Sequence, residues 1–332
     1  MMRQLQFILF LFLAGLAAGC NRGQSSDPGN SSSASSYPSR SITLICPWAA
    51  GGGTDRVARF FAEQLQKQLG KPVIVVNKTG GSGAVGHSAG GLAAPDGYTI
   101  TMGTFELSTM HWMGISELSW TNFAPIMQVN ADAAALIVKK DAPWKSLPEF
   151  LQHVKKNPGA VKMSGTATGG AWDLARSGLL LEAGLPVNSV IWVPTQGSAP
   201  SIVELLGGHI DAVCCSVPEA AAQIDAGQLR VLAVMSPERL SQYPQMPTAR
   251  EQGVDWTAVG WRGLLAPRST PPEIIDRLHR ECRKICDSAE YKTFMDKNGF
   301  AIAIREPEPF ARFLEEEDAR WQKVIAAAGY AK

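Results

Sequence analysis

A glycine-rich turn set between an apolar run and an amphipathic run constrains this chain most. It reads Ile42-Thr43-Leu44-Ile45-Cys46-Pro47-Trp48-Ala49-Ala50-Gly51-Gly52-Gly53-Thr54-Asp55. Residues 42–46 have the pattern of a buried strand, and Pro47 has no N–H with which to continue a ladder. Three glycines then leave the backbone free to turn and to lie close to a ligand. Residues 57–69 are amphipathic at helical spacing, and Thr54 or Asp55 is placed to cap them. A strand, a glycine turn and a helix N terminus aim backbone N–H groups at one point, which favours an anion such as a carboxylate or phosphate. The same turn also serves as an ordinary βα connection, so the rest of the chain decides between the two.

The arrangement recurs. Residues 72–77 form a second apolar strand, Gly80-Gly81-Ser82-Gly83 a second glycine turn, and a helix runs to about residue 93; Pro95-Asp96-Gly97 then turns the chain into a third strand at 98–102. Such β-loop-α repeats predict a parallel sheet with helices packed on it. Strands are expected at 161–164, 190–193, 211–215 and 230–235, with helices at 147–156, 172–183, 202–206 and 219–225. Two intervening loops are small and polar: Gly165-Thr166-Ala167-Thr168-Gly169-Gly170 and Thr195-Gln196-Gly197-Ser198. Ligands of open α/β sheets sit at such strand ends, so the middle of the chain reads as a second domain facing the first. Ser198 and Ser201 read as helix-cap residues. An extended run at 133–138 precedes this domain and another at 256–266 follows it. Helices at 273–286, 289–298 and 309–328 complete the chain, and the charge run Glu315-Glu316-Glu317-Asp318 reads as a solvated face.

Residues 1–20 are a targeting segment rather than fold. Arg3, an apolar run at 5–16 and the small residues Ala17-Ala18-Gly19 before Cys20 form a secretory signal, too short for a typical membrane span. The run Leu16-Ala17-Ala18-Gly19-Cys20 resembles a bacterial lipobox, in which Cys20 becomes the lipidated first residue; a plain cleaved signal is the alternative. One lipid anchor holds a protein on a membrane surface without making it span. The Ser-rich segment up to about residue 40 cannot bury a core and reads as a flexible tether. Net charge is +1 with no block of Lys or Arg, so nucleic acid finds no electrostatic footprint. The five histidines are scattered, none at metal-ligand spacing with another His or Cys, and no metal is expected. Cys46, Cys214, Cys215, Cys282 and Cys286 read as buried thiols, with Cys282 and Cys286 the one pair brought near each other by sequence.

Gly81-x-Gly83-x-x-Gly86 fits the dinucleotide fingerprint, between strand and helix, and Glu106 lies about twenty residues on. This is the sharpest enzyme reading: an exported nucleotide-dependent oxidoreductase. An exported chain, however, meets no free nicotinamide cofactor, and 51–55 offers an equivalent loop, so the pair suits one small anion gripped from both sides. Glycines kept only for close helix–strand packing are a third reading. The four strand-end loops carry glycine and hydroxyls but no nucleophile–base pair, so no catalytic residue is assigned and no cofactor is expected.

Taken in order, several motifs resemble one family: Pro47-Trp48-Ala49-Ala50-Gly51-Gly52-Gly53-Thr54-Asp55 with Arg59; Asn77-x-x-Gly80-Gly81-x-Gly83-x-x-Gly86; Pro194-x-x-Gly197-x-Ala199-Pro200; Leu205-Leu206-Gly207-Gly208-His209-Ile210-Asp211; and Leu232-Ala233-Val234 with Pro247-Thr248. The family is the substrate-binding component of tripartite tricarboxylate transporters, also called Bug-type solute-binding proteins. The resemblance covers about residues 41–328. It implies a two-lobed α/β fold of the type II periplasmic-binding-protein kind, each lobe a sheet flanked by helices, joined by crossing strands. Lobe I would hold residues 41–129 and 235–332, and lobe II residues 130–234. It implies a non-catalytic, extracytoplasmic receptor that closes on a small organic anion, often a carboxylate, and delivers it to membrane subunits of the transporter. A lipoprotein that senses a metabolite and signals to a membrane partner is an alternative.

By position, Trp48, Gly51, Gly52, Gly53, Thr54, Asp55, Gly80, Gly81, Ser82 and Gly83 would line the first lobe. Thr166, Thr168, Gly169, Thr195, Gln196 and Gly197 would line the second. Loop N–H groups, hydroxyls and water, rather than an arginine clamp, would hold the carboxylate. The family commonly has small polar residues after the third strand, and this chain departs from that with Thr104-Phe105-Glu106. Glu106 facing the cleft would repel a polycarboxylate and favour a guest with an amine or hydroxyl; Glu106 facing solvent or a cation would do neither.

Overall fold

Two β-loop-α units open the fold: β1 (Ile42–Cys46), α1 (Gly53–Leu69), β2 (Val73–Asn77), α2 (Ala84–Gly91) and β3 (Thr99–Thr104). The computed structural model describes residues 37–332; the signal segment, Cys20 and most of the tether lie outside the described residues. α1 buries Val57, Ala58, Phe61, Ala62 and Leu65, one stripe at helical spacing, and ends on Gly70 at φ 66°, where the left-handed backbone suits glycine. β1 pairs in parallel with both β2 and β3.

β4 (Phe123–Lys139) is the longest strand and serves two sheets. It is followed by α3 (Leu147–Lys156), β5 (Val161–Ser164), α4 (Ala171–Glu182), β6 (Val190–Trp192), α5 (Ser198–Leu206), β7 (Ala212–Ser216), α6 (Ala221–Asp225) and β8 (Leu229–Val234). β9 (Val259–Pro267), α7 (Pro272–Asp287), α8 (Ala289–Asn298), β10 (Ile302–Arg305) and α9 (Pro307–Ala327) complete the chain. The strand order is β2-β1-β3-β9-β4-β7-β5-β6, with β10 and β8 also on β4. The first half of β4 pairs with β9 and β10, the second half with β7 and β8. At the changeover, Ala134 N–H donates to Ala258 O at 2.9 Å and Met235 N–H to Ala134 O at 2.7 Å. The chain therefore crosses between the halves twice, once along β4 and once along the return from β8 to β9.

One core gathers α1, α7 and α8 around β1–β3 and includes Phe61, Tyr291 and Phe300. The other gathers the second half of β4, β5, β7, β8 and α4, and takes in Phe105, Trp261 and Trp321. α9 packs Trp321 edge-on against Phe105, with ring centroids 4.7 Å apart.

Several expectations need correction. The sheets are mixed rather than purely parallel: β9, β8, β7 and β10 run against β4, because strands that leave one half and return must oppose each other. α1 is capped by Gly52 with no side-chain cap, not by Thr54 or Asp55. α5 begins at Ser198, with Gly197 as its N-cap, and neither Ser198 nor Ser201 is the cap. β4 runs ten residues upstream of 133, and β10 was not expected. Glu317 is buried, accepting from Trp321 Nε1 at 3.0 Å, so the acidic run is only partly solvated. All five cysteines among the described residues are free and buried. No described helix is long and apolar enough to cross a membrane.

Candidate functional site

Between the two halves lies a small, partly open cavity of about 30 Å³, room for roughly two waters. The first half contributes Trp48, Gly52, Gly53, Thr54, Thr104, Phe105 and Glu106, and β9 contributes Gly260, Trp261 and Arg262. The second half contributes Thr166, Ala171, Trp172, Gly197, Ser198 and Glu219. The N termini of α1, α4 and α5 thus all reach the wall. In α1 the first intrahelical bond runs from Arg56 N to Gly52 O, so the amides of Gly53, Thr54 and Asp55 have no intrahelical acceptor; in α5 the first runs from Ser201 N to Gly197 O.

Contacts across the cleft hold it shut. Ala49 N–H donates to Gln196 O at 3.1 Å, Arg56 Nη1 to Pro218 O at 3.1 Å, and Ala171 N–H to Glu106 Oε1 at 2.8 Å. Ser82 Oγ donates to Thr168 O. Arg262 Nη2 meets Glu219 Oε1 at 3.1 Å, with both side chains 4% exposed.

Glu106 is 1% exposed. Burial pushes its carboxyl above the usual range, and bonds from Thr104 and Ala171 pull part of the way back. Thr104 Oγ1 donates to Glu106 Oε2 and accepts from Trp48 Nε1 at 3.2 Å. Arg262 donates to Thr54 Oγ1 at 3.1 Å, Asp132 Oδ2 at 2.6 Å, Asn130 Oδ1 and Glu219. At the cavity its charge is met by Asp132 and Glu219. Trp261 Nε1 is buried with no acceptor. Among the described residues no cluster of His, Cys, Asp or Glu could hold a metal.

The sequence-expected residues divide. Trp48, Gly52, Gly53, Thr54, Thr104, Phe105, Glu106, Thr166 and Gly197 come together on the wall. Gly51, Asp55, Gly80, Gly81, Ser82, Gly83, Thr168, Gly169, Thr195 and Gln196 lie outside that lining. Asp55 is buried under the turn, accepting from Gly51 N–H at 2.9 Å, Arg59 Nε at 2.9 Å and Asn77 Nδ2 at 2.9 Å. Of the two glycine loops, the first contributes to this lining and the second does not. The indole of Trp48 stands at the second loop, and a Cβ on Gly83 would lie 3.3 Å from it. Gly169 N–H is tied to Asp173 Oδ2 at 2.9 Å, and Thr195 Oγ1 to Ser201 Oγ at 2.6 Å. Gly86, the last glycine of the fingerprint, is a packing residue: a Cβ there would meet Pro47 Cα at 2.5 Å and Lys78 O at 2.7 Å.

Ala49, Ala171, Trp172, Ser198, Glu219, Gly260, Trp261 and Arg262 were not anticipated on this wall. One signal was legible. Arg262 sits inside an apolar extended run, and an arginine there needs a buried carboxylate partner; Asp132 in the alanine-rich run is the matching anomaly.

Two mixed sheets joined by crossing strands, closed over a cavity at their strand-end loops, define the class of two-lobed solute-binding proteins. The chain belongs to the tripartite tricarboxylate transporter receptor family, whose family model matches residues 57–330. It is 31% identical over 328 residues to protein BugT of Bordetella pertussis, covering 97% of this chain and 95% of that one. The periplasmic binding protein BugD superposes with a TM-score of 0.84 at 29% identity, covering 89% of this chain and 100% of the other. MatC of Rhodopseudomonas palustris, with bound malate, superposes with a TM-score of 0.82 at 27% identity, covering 87% and 100%.

Proposed function

We propose that this chain is an extracytoplasmic receptor that captures a small organic acid by its carboxylate and presents it to the membrane subunits of a tripartite tricarboxylate-type transporter. The observation that carries this reading is the meeting of the α1 and α5 N termini, from opposite halves, on one cavity. Amides without intrahelical acceptors and the positive ends of two helix dipoles suit one carboxylate. Burial excludes water, and charge-assisted bonds are about twice as strong as neutral ones. Binding energy between the lobes would shift an open–closed equilibrium toward the closed form. Family membership, the likeness to BugD and the malate bound to MatC support the same reading.

On this reading Gly52, Gly53, Thr54, Gly197 and Ser198 meet the carboxylate, and Trp48, Thr104, Phe105 and Thr166 shape the rest. Gly51, Asp55, Gly80, Gly81, Ser82, Gly83, Thr168, Gly169, Thr195 and Gln196 hold the loops in place. Lobe I comprises 41–129 with 235–332, and lobe II comprises 130–234. The oxidoreductase alternative has less support, since Gly81 and Gly83 lie off the cavity and Gly86 has a packing reason to be glycine. Cys20 extends the reading to a lipid-anchored receptor, and Cys20→Ser is expected to move the protein from the membrane fraction to the soluble one.

Mass spectrometry of the small molecule released from gently purified protein tests the function. A carboxylic acid is expected. Retained NAD or FAD absorbance, or nucleotide binding tighter than that of any carboxylate, overturns the receptor reading.

A further inference from the structure

The cavity wall carries more negative charge than its one cation answers. Glu106 and Glu219 both line it; Glu106 is 1% exposed and the Glu219 side chain 4%. Arg262 is the one cation among the lining residues, and its bonds to Thr54, Asn130, Asp132 and Glu219 commit four of its five N–H donors. Counting Asp132 behind it, three carboxylates are set against one guanidinium, which pairs with Asp132 and Glu219. Glu106 receives a backbone N–H from Ala171 and a hydroxyl from Thr104, and no cationic side chain bonds to it. A buried carboxylate without a cation is costly, and a guest that brings one offsets the cost.

The rest of the wall matches. Trp48, Phe105, Trp172 and Trp261 line the same cavity, and aromatic residues beside a carboxylate are surroundings that attract an ammonium. They are poor surroundings for a second anionic group, which Glu106 and Glu219 would repel. The anion side is equally restricted. Glu106 already occupies the N terminus of α4 through the amide of Ala171, 2.8 Å away. This leaves the N termini of α1 and α5, enough for one carboxylate.

The geometry points to a zwitterionic guest: a small amino acid whose carboxylate sits at the N termini of α1 and α5 and whose ammonium meets Glu106 among the aromatic rings. This inference rests on the receptor reading and narrows it, since a receptor for plain dicarboxylates satisfies the one and not the other.

Calorimetric titration of the ligand-free protein with two matched sets tests it: propionate, lactate and alanine, then succinate, malate and aspartate. The amino member of at least one set is expected to bind about 10-fold or more tighter than its hydroxy and unsubstituted counterparts. Glu106→Gln keeps the side chain's size and an acceptor for Ala171, and is expected to shrink that preference to within about 3-fold. Succinate, malate, propionate or lactate binding as tightly as its amino counterpart in both sets overturns the inference and leaves the receptor reading standing. So does a preference unchanged in Glu106→Gln. If that variant does not fold, the wild-type ranking alone decides. Binding of none of the six by folded protein also overturns the inference, and the co-purified molecule then judges the receptor reading by itself.

Discussion

His87 keeps a single proton in a fully buried site. Its Nδ1 lies 2.9 Å from Gly83 O, which can only accept, and its Nε2 lies 3.3 Å from Thr104 N, which can only donate. The neutral ring with its proton on Nδ1 satisfies both and ties the second glycine loop to the end of β3. Burial pushes its pKa down to about 4. Between pH 6.5 and about 4 the unfolded chain takes up a proton here that the folded chain refuses. His87 therefore contributes stability in full above about pH 6.5, and that contribution falls away by about 3 kcal/mol as the pH drops to about 4. Denaturant unfolding at pH 7 and pH 4.5 should show a smaller acid loss in His87→Gln than in the wild type. Equal losses would show that His87 does not contribute in this way.

At the same scale, sequence and structure agree where a residue's type alone restricts its surroundings. Gly52 and Gly53 were legible because a turn into a helix N terminus needs them small. Glu106 was legible as a departure, although the sequence left open which way it faced. Gly80 and Gly81 looked equivalent to Gly52 and Gly53, and nothing local distinguishes them. What separates them is Trp48, whose ring direction is set by a bond to Thr104, 56 residues away. Glu219 and Trp261 carried no local signal at all.

Among the elements, β4 decides the architecture and was the least legible. Only 133–138 read as a strand, because its first half contains Pro125, Gln128, Asn130 and Asp132, which break any apolar alternation. Those polar side chains are explained only by later elements. Asp132 bonds to Arg262 on β9 at 2.6 Å and to Ala301 N–H at 2.8 Å, just before β10. Removing one partner of a buried pair leaves the other charge exposed to a low-dielectric interior. Asp132→Ala is expected to cost about 3–5 kcal/mol of unfolding free energy, measured in urea. A loss under about 1 kcal/mol would show that Asn130 and Glu219 suffice to hold Arg262. The helices were read more accurately, since α3, α7 and α8 announce themselves by a stripe and a stop that need no distant partner.

For the molecule as a whole, closure depends on a missing methyl group. A Cβ on Gly53 would lie 2.5 Å from Arg262 Nη2 and 2.5 Å from Glu219 Oε1, between the two ends of the ion pair that bridges the cleft. The backbone of Gly53 is ordinary helix, so Gly53→Ala adds no backbone strain; its Cβ presses on Arg262 within its own half and on Glu219 across the cleft. The variant is expected to bind its ligand about 10-fold more weakly while its unfolding free energy moves by less than about 1 kcal/mol. Unaltered affinity would mean that the halves close without this contact.

The joint between the halves has a consequence for how the molecule moves. Ala134, Met235 and Ala258 sit where the chain changes sheets, all are almost completely covered, and their amides are tied to one another. A door hinge is normally the loosest fitting on the frame; here the pivot is in the least yielding part of the fold. Opening must then be shared as a slight torsion along two paired strands, with no peptide surrendering its partner. In deuterium exchange the swing would pass unseen at its axis and register only at the rims, where the loops part.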